Sequence, residues 1–263
     1  MKSIASIQIK PLLSRGLLPS LLAVAVMACG VASLARADGK GNTGNPGVLP
    51  PQSSPYGKTY GEWAAEWWQW ALSIPADRNP LTDSTGEFAG EGQEGPVWFV
   101  AGTFGDSVER SYQVPAGKAL FVPVFVWLFG AAAFDCDPSN PGVPCVVCDL
   151  EDLAVANTQA ADVLEVSIDG VPVKSIRSYE AGSPGPFAVE YPDNSVVGLP
   201  AGSYLPNVTD GYWLMIKPLP PGQHEIRMHA HYAGLTYDPY EYTIIHHIEV
   251  TPLAKDQGKG NAD

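Results

Sequence analysis

The stretch His224–Val250, HEIRMHAHYAGLTYDPYEYTIIHHIEV, decides the reading of the fold. In its first half His224, Ile226, Met228, Ala230 and Tyr232 alternate with Glu225, Arg227, His229 and His231. In its second half Tyr242, Ile244, His246, Ile248 and Val250 alternate with Thr243, Ile245, His247 and Glu249. A period of two puts each set on one face of a strand, so the stretch reads as a pair of strands joined by residues 233–240 and buried on one side. Pro220-Pro221-Gly222 opens the pair.

The same signal recurs upstream. Leu164, Val166 and Ile168 alternate up to Asp169-Gly170, a hairpin dipeptide, and Val171-Pro172-Val173 returns. Phe187, Val189 and Tyr191 alternate likewise, while Val97–Val100 and Tyr212–Ile216 are short apolar runs typical of buried strands. The run 119–134, ALFVPVFVWLFGAAAF, contains no charge. It falls short of the roughly 20 residues of a membrane-spanning helix, and Pro123, Gly130 and the β-branched and aromatic content favour a strand covered on both faces. These segments predict one mainly β domain over 59–253, an antiparallel β-sandwich of jelly-roll or immunoglobulin type.

Two helices are expected beside the strands. Four tryptophans, Trp63, Trp67, Trp68 and Trp70, stand in WAAEWWQW. At 100° per residue Tyr60, Trp63, Trp67, Trp70 and Ala71 form one stripe, flanked by Ala64 and Trp68, and Glu62, Glu66 and Gln69 share the narrow opposite face. Thr59 followed by Glu62 is a capping box, and Pro75 stops the helix. The indoles read as core ballast, with an open aromatic platform for a sugar or another flat ligand as the alternative. A second, short helix is expected over Leu150–Val163.

Residues 1–37 carry Lys2, Lys10, Arg15 and Arg36, no acid, an apolar stretch from Leu17 to Leu34 and Ala35-Arg36-Ala37. This is the pattern of a secretory signal peptide cut before Asp38, which predicts an exported protein, periplasmic or extracellular. Lipid anchoring through Cys29 is the alternative. Residues 38–58 read as a flexible leader and 254–263 as a disordered tail. Removing the four basic residues of 1–37 leaves 11 against 28 acidic ones, a charge near −17, with no basic cluster. Phosphate backbones would repel such a chain, so nucleic-acid binding is excluded as a function class. Export permits a disulfide, expected between Cys136 and Cys148 with Cys145 as the alternative partner. No histidine lies near these cysteines to complete a zinc site.

The chain also resembles a group of uncharacterised secreted bacterial proteins through its Trp-rich helix ending in Ile-Pro (WWQWALSIP, Trp67–Pro75), GPVWF (Gly95–Phe99), VPAGKALF (Val114–Phe121) and the Pro-Gly-x-His stretch at Pro221–His224. The likeness covers most of the chain after residue 37. It implies a shared fold and brings no activity or catalytic residue. The resemblance implies a cysteine pair where this chain has Ala89 and Tyr112, and a second histidine where it has Arg227.

Candidate chemistry is sparse. All five histidines lie between 224 and 247. His229 and His231 share a strand face, as zinc or copper ligands do, but a 233–240 loop places His231 opposite Glu241, His229 opposite Thr243 and His247 opposite Glu225. That separation keeps a third histidine away from the pair. Glu62 and Glu66 are the one carboxylate pair at helical spacing that resembles a glycosidase acid/base couple, and the wet face of a helix explains it equally. No motif calls for a cofactor. The expected function is non-enzymatic binding of a small molecule or glycan, or envelope association; a secreted hydrolase of carbohydrate and a His229/His231 metal-binding protein are the alternatives.

Overall fold

The computed structural model describes Asn45, residues 47–130 and residues 147–252, the last with side chains from Leu150 onward. The expected signal peptide with Cys29, the tail and the cysteine bridge lie outside the described side chains. Among the described residues the strands are β1 (Val97–Phe99), β2 (Val108–Pro115), β3 (Ala119–Gly130), β4 (Ala161–Ile168), β5 (Val171–Pro172), β6 (Phe187–Tyr191), β7 (Gly202–Ile216), β8 (Gly222–Tyr232) and β9 (Tyr240–Thr251). The helices are α1 (Tyr60–Ser73) and α2 (Val147–Gln159). Two sheets, ordered β1-β3-β7-β6 and β2-β9-β8-β4-β5, form the sandwich. No described helix is long and apolar enough to cross a membrane.

The β8–β9 pairing follows the alternation. His231 faces Glu241, His229 faces Thr243 and Glu225 faces His247. Asp169 and Gly170 both take positive φ, 50° and 74°, the geometry of a two-residue turn whose twist matches its strands. The sheets are not purely antiparallel: β1 runs parallel to β3, and β2 parallel to β9. Between β1 and β3 the chain visits the other sheet as β2, and that excursion returns it to its first sheet in its original direction.

The apolar run of β3 changes partners midway. Pro123 cannot donate to a ladder, and the β3–β7 register shifts between Pro123 and Phe125. Before the shift Phe121 stacks on Trp213 of β7 at 5.1 Å and 6° and meets Tyr60 and Trp63 of α1. After it Phe125 stacks on Tyr232 and Tyr242 of the other sheet. The strand is buried on both faces because one face serves α1 and the other the facing sheet.

Helix α1 begins as expected. Thr59 Oγ1 accepts from the Glu62 N–H at 3.2 Å, and Glu62 Oε2 accepts from the Thr59 N–H at 2.7 Å. Ile74 is extended, the conformation favoured before proline, and the helix stops at Ser73. Helix α2 is displaced from its expected span. It ends at Gln159, because Ala161–Val163 pair with Tyr232 and His231 as the start of β4. Residues 47–58 are also not the flexible leader of the sequence reading: the Leu49 N–H bonds Met215 O, the Lys217 N–H bonds Gly47 O, and Val48 is buried.

Candidate functional site

The four indoles of α1 are enclosed, from Trp67 at 1% exposure to Trp68 at 9%. Each N–H is used on a different segment: Trp63 donates to Pro55 O, Trp67 to Val100 O, Trp68 to Thr209 Oγ1 and Trp70 to Glu91 O, all at 2.8 to 2.9 Å. Burial of a large ring together with satisfaction of its one donor makes α1 a hub that gathers four parts of the chain. The enclosure of Trp63, Trp67, Trp68 and Trp70 fits the core reading of the helix and leaves little support for the alternative of an open platform for a ligand.

Glu62 is exposed, and its carboxylate is held below the usual range chiefly by the Thr59 N–H and hydroxyl it accepts from. Glu66 pairs with Lys58, whose ammonium also lies 4.6 Å from the Trp63 ring centre. One carboxylate caps the helix and the other is ion-paired beside it, so the two do not converge as an acid/base couple.

The histidines are also engaged. On the outer face of the five-stranded sheet His229 Nε2 lies 3.2 Å from Glu241 and Nδ1 3.2 Å from Thr243 Oγ1. His231 pairs with Asp162, and His247 with Glu109 at 2.7 Å. No group of three or more His, Cys, Asp or Glu among the described residues is placed to share a metal ion. His224 lies on the inner side at the strand end, with Nδ1 2.8 Å from Asp169 and Nε2 2.8 Å from Pro220 O. Burial lowers its pKa, but these two acceptors outweigh that and leave it raised. His246 is fully buried and differs from the rest: Nδ1 is 3.1 Å from the Tyr112 hydroxyl, while Nε2 meets no hydrogen-bond partner among the described residues. Beside it Arg110, also buried, donates to the carbonyls of Leu81, Asp83, Ala101 and Gly102.

Tyr56 and Phe104 are singly exposed aromatics, and a further exposed aromatic surface, supported from below, lies in the β8–β9 loop, for which the sequence predicts only a connection. Tyr237 lies flat on Trp127 at 5.2 Å and 7°, and Trp127 rests in turn on Phe129, Tyr232 and Tyr240. Tyr237 remains 39% exposed, and Leu235 61%. The loop is held from beneath. The buried Tyr232 hydroxyl accepts from the Leu235 and Thr236 N–H groups at 2.7 and 2.9 Å and donates to Asn157 Oδ1 at 2.6 Å. Asn157 Nδ2 donates back to Thr236 Oγ1 at 2.9 Å. A closed polar network therefore fixes a turn whose large side chains face solvent, which is preorganisation applied to a surface. The only sequence signal for it is the presence of Leu235 and Tyr237 in a loop rich in turn residues.

No protein-family model, curated protein or solved structure matches this chain.

Proposed function

We propose that the protein is an exported, non-enzymatic binding module, working in the periplasm or outside the cell. It holds a ligand with a flat apolar face, of which a pyranose ring is the favoured case, against Tyr237 and Leu235. The observation that carries this reading is the Tyr232–Asn157 network, which rigidifies a loop displaying an aromatic ring and an aliphatic side chain to water. Aromatic faces bind sugars through their C–H faces without needing charge, which suits a chain whose acidity repels polyanions. The hydrolase reading has less support because Glu62 and Glu66 are engaged at the helix surface.

A panel of neutral glycans titrated against the chain beginning at Asp38, followed by intrinsic fluorescence, tests the proposal. A saturable change that Tyr237→Ala removes is expected, because Trp127 lies directly beneath that ring. Absence of any response across the panel, or equal binding by the variant, would refute it. Mass spectrometry of the exported protein is expected to show an N-terminus at Asp38.

A further inference from the structure

We propose, resting on the reading of the Leu235–Tyr237 loop as the ligand site, that Asp210 is a proton-operated support beneath it: the loop is fastened while this carboxyl is neutral and loosened when it is charged.

Asp210 lies on β7 two residues from Val208, on the face where Val208 packs with Leu150 and Ala154 of α2. Both supports of the loop meet it there. Its cross-strand neighbour is Trp127 of β3, the ring on which Tyr237 stacks. The hydroxyl over it belongs to Thr158 of α2, next in sequence to Asn157, whose side chain holds Tyr232 and Thr236. Asp210 is 5% exposed, and Thr158 is wholly enclosed. The Thr158 hydroxyl is close enough to favour a charged carboxylate but stands outside hydrogen-bond geometry. Asp210 Oδ1, Thr158 Oγ1 and Trp127 Nε1 all lack a hydrogen-bond partner among the described residues.

The groups packed around Asp210 do not offset a charge on it. Glu180, from the segment 180–183 that pairs with residues 209–212 of β7, is a like charge. Along β7 the neighbour is Tyr212, whose hydroxyl meets Arg177 at 3.4 Å. Helix α2 brings the neutral Thr158 and its own C-terminal end, where partial negative charge collects, and β3 brings the neutral Trp127. Burial first and Glu180 second raise the carboxyl to about 6, against about 3.8 for the same group in water. Below 6 the folded site holds a neutral carboxyl at no cost. Above it the charge is hydrated only if the last turn of α2 lifts, and Thr158 does not move without Asn157. An opening that restores ordinary hydration therefore grows with pH, by about tenfold between pH 5 and 8.

Hydrogen exchange at the Leu235 and Thr236 amides, corrected for intrinsic rate and read against the β8–β9 ladder, tests this. Opening should rise about tenfold from pH 5 to 8 in the parent. Asp210→Asn keeps the shape and does not ionise, so it should hold at pH 8 the protection the parent has at pH 5. The His231–Asp162 pair and the other histidines are retained in that variant, which separates their influence. Thr158→Val withdraws the one hydroxyl that favours the charge and should move the midpoint of the pH response upward, a shift that lost packing alone does not produce. A glycan held by the loop should bind the parent more weakly at pH 8 than at pH 5, and Asp210→Asn equally at both. Exchange that ignores pH, a pH response retained in Asp210→Asn, or glycan affinity equal at both pH values in the parent would overturn the proposal while leaving the ligand reading intact. The expected exchange changes without any glycan binding would remove the ligand reading and leave the support of the loop by Asp210 standing.

Discussion

Acid should weaken this fold through His246, and a single substitution isolates the effect. The imidazole sits on the inner face of β9, opposite Ile226 of β8 and beside Arg110 of β2. Burial, with the charges of Arg110 and His247 added, pushes its pKa down to about 3. In the unfolded chain it titrates near 6.5, so between pH 6.5 and 3 the unfolded state takes up a proton that the folded state refuses. Stability contributed by the neutral ring is complete above 6.5 and falls on acidification by about 1.4 kcal/mol per pH unit, or roughly 3 kcal/mol by pH 4.

Two groups act in the opposite direction. Asp210 is buried, and that burial, with Glu180 nearby, raises its carboxyl to about 6, above its unfolded value near 3.8. The folded chain therefore gains a proton first, and Asp210 adds stability as pH falls from 6 to 3.8. The raised pKa of His224 has the same sign. The parent protein can thus show a flat profile that hides His246, and the informative quantity is the difference between it and His246→Gln. Glutamine keeps a polar group near Tyr112 and does not titrate, so its own cost is constant with pH. Urea unfolding followed by tryptophan fluorescence at pH 7, 6, 5 and 4 should show the parent's advantage shrinking by about 3 kcal/mol over this range. A difference that stays constant with pH would refute the assignment of a buried, neutral His246.

Trp67→Ala removes a ring that is 1% exposed and frees the Val100 carbonyl, and should cost about 3–5 kcal/mol in thermal or urea unfolding; a loss under about 1 kcal/mol would show that the indoles are not closely packed. Tyr232→Phe deletes the hydroxyl that holds two loop amides and Asn157, and should cost about 1–3 kcal/mol. Hydrogen exchange should then accelerate at Leu235 and Thr236 more than at the β8–β9 ladder, and unchanged protection there would show that the loop is held by other contacts.

How far the sequence discloses this molecule depends on where polar groups end up. The β8–β9 register is legible because alternation and loop length together leave one pairing that buries both apolar faces. Strand β2 is not, because Arg110 occupies an inward position of VERSYQVP, and a charged residue there breaks the period-two pattern. Its burial becomes tolerable only when four carbonyls from the segments 81–83 and 101–102 surround the guanidinium, and those contacts are tertiary. The first part of β7 is obscured for the same reason: Asn207, Thr209 and Asp210 read as loop residues and are nevertheless buried. The end of α2 carries no glycine or proline signal, and pairing with β8 decides it.

The candidate binding loop follows the same logic from the outside. Leu235 and Tyr237 are ordinary residues in a turn until the chain brings Trp127 under the tyrosine and Asn157 under the backbone. Stability alone gives no reason to fasten a turn with a buried hydroxyl and amide while leaving its large apolar side chains in water, since exposing them forgoes roughly 25 cal/mol for each Å² left uncovered. That combination of a fixed backbone and open apolar groups is the physical ground for placing recognition at this loop, and for placing structural support in the tryptophan helix.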